Sequence, residues 1–341
     1  MNVSMIITNR CNLRCKMCDI GQGQHDASGF GGTWIPGAHE LEPEEWINGL
    51  KQLDVKAIAI LGAEPLLYKK FDELCASLRS HLKGPISISM TTNGWYLEKY
   101  AGTIAKHIDS LAVSLDGPTA DIHDKIRGVD GSFDRAINGI LLLKKKFKYK
   151  TIRISLAITP DNYMHLGAMH VFITKTLGIH QMVFNHYNYV SPLSCNFDAP
   201  GGVCKPANIS GYTEEQIHQM NCNKIFEQLT KHKLFPYCYP KLSTLSDLKE
   251  YYQESPTKFV ASGRNGCRII SALLAGQRLA INPDGTIPAG GRCFDTRVFG
   301  NIGPPLVLDT KALTELNNFI IENGFPPPCQ RLCCGGKLVG K

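Results

Sequence analysis

No stretch of this chain approaches the ~18 consecutive apolar residues of a membrane-spanning helix, so a helical membrane protein is not expected. The first ten residues lack a basic segment followed by a long apolar run, so no secretory signal is evident. Excess charge of one sign is also scarce. The chain has 341 residues, and 37 basic against 30 acidic ones leave +7. The one dense basic run, Lys144-Lys145-Lys146 with Lys148 and Lys150, ends a predicted helix, where cations suit the dipole. With no clustered basic face, neither nucleic acid nor a membrane is an expected partner. Charged residues are 20% and hydrophobic ones 43%, which excludes a disordered chain. No internal repeat is visible. The expected location is therefore cytoplasmic, where thiols stay reduced. Thirteen cysteines then need a use other than disulfides, and reduced thiolates ligate zinc or iron–sulfur clusters.

What is present is alternation. Short β-rich apolar runs are expected as strands near Val3–Thr8, Ala57–Leu61, Ile86–Thr91, Leu111–Ser114, Ile152–Ile158 and Gln181–Asn185. Helical patterns fall between them. Pro43 sits at a first helical position ahead of Trp46, Ile47, Leu50 and Leu53. Phe71, Leu74, Cys75, Leu78 and Leu82 make a second stripe, with Cys75 a packed small hydrophobe. Ser132 is the expected N-cap of a helix carrying Phe133, Ile137, Ile140 and Leu141. Strand–helix–strand repetition implies a parallel α/β sheet, because parallel strands need crossover helices. Six such units fit a partial barrel or an open sheet. After residue 186 the pattern changes: loop over 191–212, helices near 213–232 and 244–254, short strands after Cys267, and a helix near 310–323.

Cys11, Cys15 and Cys18 form a C-x3-C-x2-C spacing directly after the first predicted strand. Three thiolates from one tight loop suit three irons of a cubane cluster. The absence of a close fourth cysteine leaves one iron open for a non-protein ligand, as catalytic metal sites do. A zinc loop is the alternative, although zinc motifs usually pair two such spacings.

With Met17 at the apolar position, this loop resembles the signature C-x3-C-x-Φ-C of the radical SAM superfamily. The resemblance runs through about the first 190 residues. It implies a [4Fe–4S] cluster on Cys11, Cys15 and Cys18 that chelates S-adenosylmethionine (SAM) and cleaves it to a 5′-deoxyadenosyl radical. Gly62-Ala63-Glu64-Pro65 resembles the family's GGEP segment, with Ala63 replacing a glycine. By that match Glu64 pairs with the SAM ammonium. Thr92-Asn93-Gly94 resembles the TNG segment. Ser114 to Pro118, with His123-Asp124, Arg127-Gly128 and Gly131-Ser132-Phe133, resembles a stretch of the SPASM/twitch branch. It implies that Ser114 meets the ribose or methionine end of SAM and that Arg127 neutralises its carboxylate. Asn185 and His186 fall where the adenine would lie. Each segment alone could be a plain turn; their shared placement at strand C-termini, where sites of parallel sheets gather, is the argument.

A second group resembles the opening of a SPASM or twitch domain, which holds auxiliary [4Fe–4S] clusters: Cys267, the turn Asn282-Pro283-Asp284-Gly285, then Cys293. The usual second-cysteine position holds Gly290, three residues before Cys293. Cys329 with Cys333 or Cys334 completes a set for one auxiliary cluster; zinc or unligated thiols are the alternatives. Cys195, Cys204, Cys222 and Cys238 have no metal spacing. Among candidate acids and bases near the barrel mouth (Asp116, His186, Tyr187 and Tyr189), His186 titrates nearest neutrality.

The expected architecture is thus a partial (β/α)6 TIM-like barrel at 1–190, a bridging segment at 191–259 and a small auxiliary iron–sulfur module at 260–341. The expected activity is SAM-dependent hydrogen abstraction, an oxidoreductase or radical modification fed by a reductant such as flavodoxin or ferredoxin. Substrates of the resembling branch include small molecules such as sugars or aminocyclitols, and ribosomal peptides or proteins. The chain starts at its first strand without a peptide-recognition domain ahead of it, which leans the expectation toward small molecules. A non-catalytic iron–sulfur electron carrier is the reading of another class; it predicts no SAM pocket.

Overall fold

The structure, a computed structural model, describes residues 1–18, 40–148, 151–186, 195–196, 203–204, 211–239, 242–253, 274–288, 298–303 and 305–323. Six strands alternate with helices in the first half: β1 (Asn2–Ile6), β2 (Ala57–Leu61), β3 (Ser87–Thr92), β4 (Ser110–Ser114), β5 (Ile152–Ile158) and β6 (Gln181–His186). Between them run α1 (Pro43–Leu50), α2 (Phe71–His81), α3 (Leu97–His107), α4 (Ala120–Arg127), α5 (Ser132–Lys146) and α6 (Leu166–Val171), the last continuing as a π-helical turn over Phe172–Thr176. β1 to β6 pair in sequence order, every pair parallel.

The sheet is wider than six strands. Cys238–Tyr239 pairs parallel with β6, and Arg278–Ile281 pairs parallel with β1. The result is one unclosed, eight-stranded parallel sheet, as a partial barrel requires. It draws strands from all three segments expected as core, bridge and module. Thr286–Pro288, Val298–Asn301 and Val307–Leu308 form a separate antiparallel ribbon, and Thr310–Asn323 is helical.

The core lies between strands and helices. Met5, Ile58, Ile60, Ile88, Leu111, Val113, Ile154 and Phe184 from the strands meet Trp46, Leu50, Phe71, Leu74, Cys75, Ile104, Ile140 and Leu143 from the helices. Helix starts follow local chemistry. Pro43 opens α1 behind a Glu42/Glu45 capping box. At α5 the expected cap is corrected. Ser132 lies inside the helix and donates its hydroxyl to Asp124, whose carboxylate also accepts from Gly131 and Phe133 N–H. The cap comes from α4, eight residues ahead of the first residue of α5, because Gly128 ends α4 and folds the chain back. The pattern expected as one helix near 213–232 is two, Glu214–His218 and Cys222–Lys231. Among the described residues no helix is long and apolar enough to cross a membrane.

Candidate functional site

Beyond β1 the chain crosses the C-terminal edge of the sheet as the cysteine loop, and neighbouring segments hold it from several sides. Ala63 N–H donates to Thr8 O at 3.0 Å and Glu64 N–H to Arg10 O at 2.9 Å, which lays the segment after β2 along the loop. Gly62 is where the two backbones come closest: a Cβ there would stand 2.8 Å from Thr8 O. On the opposite side, Arg14 N–H donates to Arg127 O at 3.0 Å and Lys16 N–H to Ile126 O at 2.9 Å. Gly128 makes that approach possible. It ends α4 at φ 71°, and a Cβ would stand 2.3 Å from Arg14 O. Lys16 pairs with Asp161 at 2.9 Å, and Asp161 also meets Lys125 and the Tyr212 hydroxyl, each at 2.8 Å.

Within the loop Cys15 is buried, and Cys11 and Cys18 are partly exposed. Cys11 Sγ accepts the Leu13 N–H at 3.5 Å and the Asn93 amide at 3.9 Å. Cys15 Sγ accepts from Arg127 Nη1 at 3.7 Å. Burial pushes the Cys11 thiol up to about 12, with the Leu13 N–H working against it. Burial also raises Cys15, against the pull of Arg127. Such thiols keep their protons at neutral pH unless a metal displaces them, and a coordinating thiol is deprotonated outright. Three thiols in one loop, two already accepting N–H bonds, fit a cluster bound through thiolates. Among the described residues no three His, Cys, Asp or Glu side chains converge on a single-ion position.

Around the loop, Asn93 donates to Asn12 Oδ1 at 3.0 Å as well as to Cys11, so its amide fixes the loop. Ser114 closes β4, half-buried, beside Ser155 in register. Asn185 donates to Ser155 Oγ and Leu156 O, both at 3.1 Å, and is half-buried. Met17 is partly buried and packs on the core.

Glu64 does not sit as expected. It is 0% exposed. One carboxylate oxygen accepts from Leu66 N–H at 3.1 Å and Thr92 Oγ1 at 2.7 Å, and the other from Asn93 N–H at 2.7 Å. Burial raises its carboxyl to about 7, against those bonds. The side chain ties the end of β2 to the end of β3 and offers no surface to a SAM ammonium; backbone at 62–64 lies nearer the loop.

Arg127 is likewise committed. Its Nε lies 2.6 Å from Asp116 Oδ2 while Nη1 faces Cys15. Asp116 is fixed in turn: its other carboxylate oxygen accepts from Ala157 N–H at 2.8 Å, and its backbone oxygen accepts the Asn162 amide at 2.8 Å. His123 Nδ1 accepts the Asp116 N–H at 3.0 Å. Burial lowers the His123 imidazole well below its ordinary value, so it is neutral.

His186 is corrected as an acid or base. It is buried at the end of β6, its Nδ1 2.8 Å from the Tyr252 hydroxyl and its ring against Tyr251. Burial pushes its pKa down to about 3. Its described contacts are with Tyr251 and Tyr252, which pack its ring. Asp116 and Thr92 stand within segments recognisable in the sequence, though without these roles, whereas Asp161 and Asn162 stand in none and were missed. Cys75, Cys222 and Cys238 are buried. Cys195 and Cys204 are register partners in a two-residue antiparallel ladder. Cys267, Cys293, Cys329, Cys333 and Cys334, and with them the auxiliary cluster, lie outside the described residues.

Residues 5–170 match the sequence model of the Radical SAM superfamily. The chain is similar to GTP 3′,8-cyclase 2 of Mycobacterium bovis (36% identity over 115 residues, 32% of this chain and 29% of that protein). It is also similar to GTP 3′,8-cyclase of Lactiplantibacillus plantarum (30% over 161 residues, 46% and 45%). Each match spans less than half of the curated relative's length. In fold the chain is similar to native anSMEcpe with bound AdoMet, at TM-score 0.60 and 17% identity, over 98% of this chain and 88% of that one.

Proposed function

We propose, from the premise that residues 5–170 are a radical SAM domain, that this protein is a hydrogen-abstracting radical enzyme with a [4Fe–4S] cluster on Cys11, Cys15 and Cys18. The observation that carries this reading is the setting of the cysteine loop: three thiols at the C-terminal edge of a parallel sheet, with N–H donors from Leu13, Asn93 and Arg127 directed at two of the sulfurs. When bound, such a cluster supplies the electron that splits SAM into methionine and a 5′-deoxyadenosyl radical. The chain's own part is to hold and orient. Backbone at 62–64 lines the loop, Asn93 fixes it, and Ser114 and Asn185 flank the mouth toward β5 as the contacts for the remainder of SAM. Glu64 serves by joining two strand ends.

The substrate is a small molecule or a peptide. The curated relatives act, by name, as GTP 3′,8-cyclases, so GTP is the first compound to assay, beside aminocyclitols and cysteine-bearing peptides. The C-terminal cysteines Cys267, Cys293, Cys329 and Cys333 or Cys334 are proposed to hold one auxiliary cluster of the SPASM or twitch kind. Reconstitution without oxygen, with SAM and a strong reductant such as reduced flavodoxin, tests the core reading. 5′-Deoxyadenosine is expected well above a Cys15→Ala control; equal amounts overturn it. About eight irons per chain support two clusters and about four support one, since each cubane carries four.

A further inference from the structure

Arg127 carries the strongest unassigned geometry. The guanidinium is nearly enclosed, its side chain 10% exposed, and its Nη1 faces Cys15 Sγ at 3.7 Å. It cannot swing away, because Nε is held at 2.6 Å by Asp116, which is 0% exposed. Asp116 is itself held by Ala157 N–H and, through its backbone, by Asn162 and His123. The backbone around Arg127 is fixed too, since Arg127 O and Ile126 O accept from Arg14 and Lys16 of the cysteine loop. A cation is thus built in beside one thiol of the cysteine loop, nine-tenths buried and tied to Asp116.

We propose that Arg127 acts on the cluster through Cys15, rather than on the carboxylate of SAM, and makes the cluster easier to reduce. The inference rests on the reading that Cys11, Cys15 and Cys18 hold a [4Fe–4S] cluster. One-electron reduction adds a negative charge to the cluster and its sulfurs. A fixed positive charge and an N–H donor at a ligating sulfur stabilise the reduced form more than the oxidised one, and the effect is large where water is excluded. Asp116 offsets part of that charge but sets its position. The Asn93 amide, 3.9 Å from Cys11 Sγ, works in the same direction without a charge.

The test is an EPR-monitored redox titration of the reconstituted protein without SAM, for wild type, Arg127→Gln and Arg127→Lys, with iron content and SAM affinity measured on the same samples. Arg127→Gln is expected to cut the reduced-to-oxidised ratio at a fixed potential at least tenfold, a fall of about 59 mV for one electron. Arg127→Lys keeps the charge and falls less. SAM affinity changes under threefold in both. An unchanged potential in Arg127→Gln with SAM affinity down tenfold overturns the proposal and assigns the guanidinium to the SAM carboxylate. If Arg127→Gln retains no iron, Arg127→Lys decides: a lowered potential supports the proposal and an unchanged one overturns it. Wild-type protein that takes up no iron defeats the cluster reading, and this inference with it.

Discussion

Arg127 Nε stands 2.6 Å from Asp116 Oδ2, and neither side chain is more than 10% exposed. Two opposite charges so placed have given up their hydration, and removing one strands the other. Asp116→Ala is expected to cost about 3–5 kcal/mol of stability, the range for breaking a buried pair. Urea unfolding of the purified chain measures it. A loss below ~1 kcal/mol, the size of a surface pair, would mean that water reaches Arg127 in solution.

Gly128 and Gly131 form a matched pair for a second experiment. Both have positive φ, 71° and 80°. A Cβ on Gly128 would meet Arg14 O at 2.3 Å, whereas one on Gly131 meets nothing within 4 Å. Gly131→Ala should therefore cost only the conformational term of about 1–2 kcal/mol. Gly128→Ala should cost clearly more, and should lower iron uptake because it pushes on the cysteine loop. Equal losses for the two would refute the close approach.

Much of this was legible in the sequence. Ala57–Leu61 and Ile152–Ile158 are strands with the expected bounds, because a short β-rich apolar run is a local property. The site segments could be placed at strand ends for the same reason. Orientation was not legible. The Glu64 segment could be located after β2, but three donors from two different segments turn its carboxylate inward. The Lys16–Asp161 pair spans 145 residues and leaves no local mark. Asp124 capping α5 from the preceding helix could not be told from Ser132 doing so, since both precede the same apolar stripe. His186 sat at the right strand end, yet its burial depends on Tyr251 and Tyr252, about 65 residues on.

Thr92 is a specific handle on Glu64. Its hydroxyl donates to the carboxylate at 2.7 Å and accepts the Gly94 N–H at 3.1 Å. Thr92→Val keeps the shape and removes both bonds. A loss of about 2–3 kcal/mol is expected for a bond to a buried charged group. Thr92→Ser, which keeps the hydroxyl, should recover most of it. Failure of serine to rescue would assign the effect to the methyl group instead.

His186 predicts a pH dependence. Its ordinary value of 6.5 falls to about 3 in the folded chain through burial. Below pH 6.5 the unfolded chain binds a proton that the folded chain refuses until pH nears 3. Stability is therefore lost as pH falls through that window, by about 1.4 kcal/mol per unit from this group. Going from pH 7 to pH 5, wild type should lose about 2 kcal/mol more than His186→Gln. Denaturant midpoints at the two pH values measure it, and parallel losses would show that the imidazole is hydrated.

The strand that leads into the cysteines is an interior strand. One flank of β1 pairs with β2, but the other pairs Asn2 with Arg278 and Met5 with Ile281. During synthesis that outer flank stays open until nearly the whole chain has left the ribosome. Closing it is a long-range step of the slow, high-contact-order kind. Until then the chain carries an unpaired, apolar strand edge next to three thiols not yet covered by the fold, so edge-to-edge association is the hazard of its biogenesis. A nascent chain arrested before residue 278 would lack the strand partner that completes the seat of its cysteine loop.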